Sequence, residues 1–515
     1  MDTSLTDLLS SCLIHSRHRQ LEREAYIYGN VPFKRWLLIP ATIFIQLSAG
    51  SFYAWSVYNA PITKRLNEGN DQDIHAELIS ETFYAAVASF GLACFLCGPW
   101  LERHGPRRMT MIGATLFFIG QMITVLAMHV QSVPLLFIGY GAIGGFGIGC
   151  CYLIPVSVLQ QWYPESKGFS AGVAVGSFGL GSVIASFTQS ALIEAMGVMG
   201  TFLVLGCTYF VVQMLSALVM RFPPPDLMAA NCRASNCPHA PKSSAGTGHH
   251  HPGQSAELEA MTASTLANDN DPSPDIPMIP LRHRCASLAL SIHTIEDVDE
   301  FVRDIKSIDY RFLYLMFLLS VIPGLVLISR VADMVQLAFG KSVATATWVV
   351  GVNGGFNVLG RLLMGVLSDS LPRLPLLLSV FVLTIASLIA LYFALAYALF
   401  PVFVVAMWSL TSLYGGGAAL IPGLIGDVFG TRHIAGLYGV AMTAWAAGGV
   451  VGGVGFTAVI KSQREAGVPA QSVYDMSLYA MVVVATVGAC VVVLYMARGK
   501  RRSEECVDRR GGLAH

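Results

Sequence analysis

Long apolar runs separated by short polar breaks dominate this chain. Each run is close to the roughly 20 residues that a helix needs to cross a bilayer. The runs predict helices over 36–58, 78–100, 109–129, 134–161, 169–193 and 198–220. A second set is predicted over 311–337, 344–367, 375–398, 401–425, 434–460 and 473–497. Their glycines and prolines would break a helix in water, but membrane helices tolerate them where neighbours re-satisfy the backbone. The expected fold is all-α and integral to the membrane, with six helices in an N-terminal half (36–221) and six in a C-terminal half (310–497).

Composition agrees with the pattern. Hydrophobic residues make up 54% of the chain and charged ones 12%, with a mean hydropathy of +0.59. Soluble domains carry roughly 25% charged residues. A formal net charge of +0 excludes the basic surface of a nucleic-acid binder. Lys and Arg cluster in the segment 1–35, in the loop after the second helix (Arg103, Arg107, Arg108) and in the tail 498–515, so both termini are expected in the cytoplasm. The first 35 residues are too polar for a secretory signal, and the first helix is expected to direct insertion. Between the halves, 222–309 has the composition of a disordered cytoplasmic loop, ending in an amphipathic helix near 294–308.

The two sets of helices are repeats with a fixed offset. Gly98 and Gly365 are 267 positions apart (365 − 98), as are Glu102 and Asp369, Pro155 and Pro422, Gly172 and Gly439, and Gly181 and Gly448. GPWLERHGPRR (98–108) and GVLSDSLPR (365–373) resemble the paired helix 2–3 and helix 8–9 loops of the major facilitator superfamily. The resemblance implies two parallel six-helix repeats with substrate bound between them. It also implies a cytoplasmic latch in which Glu102 and Asp369 pair with basic residues, here Arg103, Arg107, Arg108 and Arg373.

Arg361 is the residue this pattern least explains. It lies eight residues before Asp369, about 12 Å inside the helix end at 1.5 Å per residue, and so near the bilayer midplane. A cation there costs at least a few kcal/mol, and the repeat gives it no twin, since 361 − 267 is Cys94. Glu194, Asp333 and Asp427 lie near helix ends, away from its depth. A guanidinium without a resident carboxylate, in a cleft between halves, suits a carboxylate that arrives and leaves, because the planar fork matches it bidentately. The alternative is a structural arginine that snorkels or bonds backbone carbonyls.

Aromatic residues accompany it: Tyr53 and Trp55 on helix 1, Tyr152 on helix 4, Trp348 on helix 8, Trp408 and Tyr414 on helix 10 and Trp445 on helix 11. Such rings either wall a small pocket or pack and anchor the helices. GSFYAWSVYNAPI (50–62), residues 144–181 and residues 414–445 resemble the oxalate:formate antiporter family, which is related to the monocarboxylate transporters. By that resemblance Arg361 would hold a substrate carboxylate. Trp445 stands where the oxalate carrier has a lysine. Asn357 stands where lactate–proton carriers have an aspartate, and Val57 where they have a lysine.

The expected function is secondary transport of small organic anions, foremost monocarboxylates, by alternating access with anion exchange or a coupling proton. Arg361, Tyr152, Trp445, Tyr53, Trp55, Asn357, Trp408 and Tyr414 are the expected substrate-binding residues. Oxalate or dicarboxylate exchange and a non-transporting anion sensor are the alternatives. The expected partners are the bilayer, a small carboxylate, and a coupling proton or counter-anion. No nucleophile–base pair or cofactor motif marks an enzyme, and no cofactor or metal is expected. The loop residues Cys232, Cys237, His239, His249–His251, His283 and Cys285 match no standard zinc spacing. Arg330 is expected to pair with Asp333, and Cys94 and Cys97 to pack as apolar groups. The plasma membrane is the default location.

Overall fold

The computed structural model describes residues 33–68, 76–223, 298–328, 330–469 and 472–511. The chain forms two units, one from Met1–Cys237 with Ile305–His515, the other from Pro238–Asp304. In the second unit the described residues 298–304 are helical, within the amphipathic stretch expected near 294–308. Residues 224–297 of the central loop, including its cysteines and histidines, lie outside the described residues, as do 1–32. The first unit carries the helices that follow.

α1 (Leu38–Gly50) passes through a tight turn, Ser51–Ala54, and continues as Ser56–Asn67. Then come α2 (Ala76–His104), α3 (Pro106–His129) and α4 (Val133–Trp162). Lys167–Ala217 holds two helices end to end, because Gly197 breaks it at φ 76°, ψ 170°, a conformation open to glycine. These are α5 (167–196) and α6 (198–217). The second half comprises α7 (Ile308–Ile328), α8 (Val343–Ser370), α9 (Arg373–Ala396), α10 (Phe400–Phe429), α11 (Ile434–Glu465) and α12 (Asp475–Gly511).

Among the described residues, 11 helices are long and apolar enough to cross a membrane, and one of these is the 54-residue stretch that Gly197 divides. The twelve expected spans are thus all present. Two limits move. The first helix runs on to Asn67, and the seventh ends at Ile328 and resumes as the short turns Val331–Asp333 and Met334–Ala338. Large apolar side chains face outward, with Phe187 at 64%, Leu215 at 62%, Val451 at 72% and Leu494 at 61% exposure. Water would not favour such a surface; hydrocarbon does.

The halves meet at two crossings that obey the repeat. α5 crosses α8, and a Cβ on Gly365 would stand 2.7 Å from the Gly168 carbonyl oxygen. α2 crosses α11, and a Cβ on Gly98 would stand 2.7 Å from the Ala435 carbonyl oxygen. Each contact becomes the other on adding or subtracting 267. The backbones approach this closely only because no side chain intervenes. The crossings hold mid-helix residues of both halves around one central space.

Candidate functional site

Arg361 reaches that space from α8. It is 3% exposed, and its Nη1 donates to the Val175 carbonyl of α5 at 2.7 Å. Its buried Nε–H has no acceptor, and among the described residues Arg361 forms no ion pair. The alternative of a guanidinium bonded to backbone is therefore met by one of its five N–H groups. At least one other is left for something else.

Around it α1, α4, α10 and α11 contribute polar-tipped rings. The Trp445 indole N–H donates to the Tyr414 hydroxyl at 3.1 Å, and that hydroxyl lies 3.5 Å from the Tyr53 hydroxyl. Whichever tyrosine donates in the second contact, one hydroxyl proton of the pair stays available. This chain links both halves, since Tyr53 belongs to α1 and the other two to α10 and α11. Tyr152 shares a 3.0 Å hydrogen bond with Tyr438, again across the halves. Phe90, Phe178 and Phe317 supply the apolar wall, with Val175, Ala418 and Met442. The space enclosed is about 10 Å³, close to what one water needs. Side chains must part before even a small carboxylate enters.

Five of the eight expected binding residues, Arg361, Tyr53, Tyr152, Tyr414 and Trp445, converge here. The other three are elsewhere. Trp55 points behind α1, where its N–H donates to the Ile79 carbonyl at 3.2 Å and its ring lies 4.1 Å from that of Tyr140. Trp408 stacks on Phe356, with centroids 5.0 Å apart, and meets Trp348, which is 58% exposed. Asn357 lies at the α5–α8 crossing, its Oδ1 3.3 Å from where a Gly179 Cβ would be. For Trp55 and Trp408 the reason is helical phase, since an aromatic near the right depth still has to share the inward face. Asn357, one turn before Arg361 on the same face of α8, is packed against Gly179 of α5 instead.

The wall residues that composition did not single out follow the repeat. Adding 267 to Phe178 gives Trp445, and adding it to Val175 gives Met442; both pairs line the cavity. Adding it to Phe90 gives Asn357, so the halves diverge on α2 and α8, as Cys94 and Arg361 do.

The residues expected to form a latch are partnered differently from the expectation. Glu102 accepts from Gly436 N at 2.9 Å and lies 3.3 Å from His433 Nδ1, at the start of α11. Asp369 accepts from Gly168 N at 2.7 Å and Phe169 N at 2.8 Å, at the start of α5. Each acid thus caps a helix of the opposite half, where unpaired N–H groups and the helix dipole favour a carboxylate. Of the four basic residues expected to pair, Arg373 does so, with Asp369 at 3.3 Å and with Asp427. Arg107 instead donates to the Leu218 carbonyl, and Arg103 and Arg108 are exposed. Arg330 pairs with Asp333 at 3.2 Å, as expected, and also bonds Thr457. Cys94 is buried, and Cys97 lies 3.5 Å from Cys150.

Comparison with known proteins decides the family. Residues 41–453 match the family model described as Major Facilitator Superfamily. The chain belongs to the major facilitator superfamily. It is a multi-pass membrane transporter of this superfamily. It is 25% identical over 424 residues to an uncharacterized MFS-type transporter, YhjX, of Escherichia coli (strain K12), covering 82% of this chain and 87% of that one. It is 27% identical over 190 residues to the oxalate:formate antiporter of Oxalobacter formigenes, covering 37% of this chain and 43% of the other. Among solved structures, the proton:xylose symporter XylE superposes with a TM-score of 0.62 at 14% identity, over 89% of this chain and 95% of that one. That likeness concerns the fold alone.

Proposed function

We propose that this transporter carries small monocarboxylates by alternating access, chiefly as an exchanger, with the latch end facing the cytoplasm of a plasma membrane. One observation carries the proposal: Arg361 is buried in the space between the halves without a carboxylate partner among the described residues, and its Nε–H is unused. The partial similarity to an oxalate:formate antiporter supports an anionic substrate.

Charge sets the preferred valence. One monocarboxylate on Arg361 makes a neutral loaded site, whereas a dicarboxylate leaves one negative charge unbalanced in low dielectric, a costly arrangement. The free tyrosine hydroxyl proton supplies a second donor to the same carboxylate. Phe90, Phe178 and Phe317 accommodate a short apolar remainder. Closure over the ligand then comes from the hydrogen bonds that already cross the halves, Tyr53 with Tyr414 and Tyr152 with Tyr438.

The reading is tested by ligand-dependent stability in detergent. Lactate or pyruvate at millimolar concentration should raise the unfolding midpoint of the wild type and leave that of Arg361→Gln unmoved. Equal stabilisation of both proteins would remove the basis for this assignment.

A further inference from the structure

Asp369 at the latch is an anion seated on donors of the opposite half. Gly168 N donates to its Oδ1 at 2.7 Å and Phe169 N to its Oδ2 at 2.8 Å. These are among the first N–H groups of α5, which have no partner within the helix and lie at the positive end of its dipole. Lys167, the first residue of α5, is 9% exposed. Its Nζ lies 3.6 Å from Asp427 and donates to the Gly426 carbonyl at 3.3 Å.

A second feature meets the same corner. Gln160 of α4 is 0% exposed, yet neither its amide nitrogen nor its amide oxygen has a partner. A Cβ on Gly426 would stand 3.4 Å from Gln160 Oε1 and 3.7 Å from Lys167 Cδ, so the idle amide lies beside the lysine stem. Buried amides without partners are rare and costly, and each one asks for a reason. The repeat does not supply it. The mates of Gln160 and Lys167 are Asp427 and Ile434, so the start of α11 that Glu102 caps has no lysine. Ile434 Cδ1 would stand 3.6 Å from the same Gly426 Cβ, so the idle amide lies between the two helix starts.

The charges divide unevenly between the halves. Asp369, Asp427 and the Arg373 that bonds both belong to the C-terminal half. Lys167, the α5 N-terminus and Gln160 belong to the N-terminal half. If the halves rock apart here, the two aspartates keep Arg373, while Lys167 and the Gly168 and Phe169 N–H groups lose their acceptors. We infer that the opened latch presents an anion site on the N-terminal half, where a permeating carboxylate takes the place of Asp369 on the first N–H groups of α5 and of Asp427 on Lys167, and bonds the idle Gln160 amide. Lys167 precedes Val175, the residue that holds Arg361, by eight positions, about 12 Å along α5. The carboxylate is thus passed from Arg361 to a second cation as the latch opens. This inference rests on the carboxylate reading of Arg361.

The test is exchange of labelled lactate in vesicles of known protein orientation, with half-saturation measured separately from the latch side and the opposite side. Gln160→Met keeps the side-chain volume and touches no bond of the closed latch. It should raise half-saturation on the latch side about 3- to 10-fold, the worth of one hydrogen bond, and leave the opposite side unchanged. Gln160→Glu places a like charge in the site and should shift the latch side further. No shift with Gln160→Met, or equal shifts on both sides, overturns the inference. If Arg361→Gln exchanges lactate as the wild type does, the underlying reading falls instead. If the wild type exchanges no lactate, both fall.

Discussion

Gly172 of α5 lies directly over the backbone carbonyl of Arg361: a Cβ added to Gly172 would stand 3.1 Å from that oxygen. The repeat reproduces the contact on the other side, where a Cβ on Gly439 would stand 2.3 Å from the carbonyl oxygen of Cys94. The residue that carries the charge is therefore held on a stretch of α8 whose backbone touches α5 of the other half. The proposed binding residue and the contact between the halves thus share one piece of backbone.

Gly172→Val follows from this contact. The added atoms press on Arg361 and Gly365, and overpacking of this kind costs about 1–3 kcal/mol. Exchange should fall about tenfold or more, with the protein still inserted and folded. Gly455→Val, at a glycine with no atom within 4 Å of its would-be Cβ, is the control and should exchange normally. Initial rates in proteoliposomes, normalised to folded protein, check the pair.

Tyr414 already accepts from the Trp445 indole, and with its own proton directed to Tyr53 the free hydroxyl proton is that of Tyr53, so Tyr53→Phe is expected to weaken carboxylate binding. A hydrogen bond to a charged group is worth about 1.5–3 kcal/mol, so half-saturation should rise about 10- to 150-fold. Trp55→Phe, two residues away but facing Tyr140 and Ile79, should change it by less than about twofold, because that ring does not reach the cavity. Substrate titrations of the two variants side by side decide whether the helix 1 phase is right.

How much of this was legible in the sequence varies with the physics involved. The spans were, because hydrocarbon thickness and helix rise fix their length; even the boundary at Gly197 fell between the expected spans 169–193 and 198–220. The pairing of the halves was legible from the offset of 267. Arg361 was legible because a charge in an apolar run has few explanations. What a single line of residues could not give was helical phase at each aromatic, which separates Tyr53 from Trp55 and Tyr414 from Trp408. The latch partners were hidden for another reason. Backbone N–H groups accept any sequence, so no side chain advertised that Glu102 and Asp369 would sit on helix ends.

The latch is predicted to be unequal. Asp369 accepts two backbone N–H groups and Arg373, whereas Glu102 accepts one N–H and faces His433. Asp369→Asn should therefore lower the unfolding midpoint in detergent more than Glu102→Gln does. Charge-assisted bonds of this kind are worth about 1.5–3 kcal/mol each before screening. Midpoints that fall equally, or further for Glu102→Gln, would show that the two corners are equivalent.

On the proposed reading an empty carrier holds an unbalanced guanidinium and a loaded one does not, so the two should reorient at different rates. Labelled monocarboxylate should enter vesicles preloaded with unlabelled substrate about tenfold or more faster than empty vesicles, because an uncompensated charge in the bilayer costs at least a few kcal/mol. Equal rates would mean that another ion neutralises the empty site.

The central claim is that Arg361 is the counter-ion of a transported carboxylate. The most direct measurement is counterflow of labelled lactate, pyruvate and formate into preloaded proteoliposomes, comparing the wild type with Arg361→Gln and Arg361→Lys. The account predicts saturable exchange by the wild type and none above background for Arg361→Gln. Arg361→Lys should exchange weakly, since it keeps the charge and loses the bidentate fork. Exchange by Arg361→Gln at the wild-type rate, in protein shown to be folded, would contradict the claim.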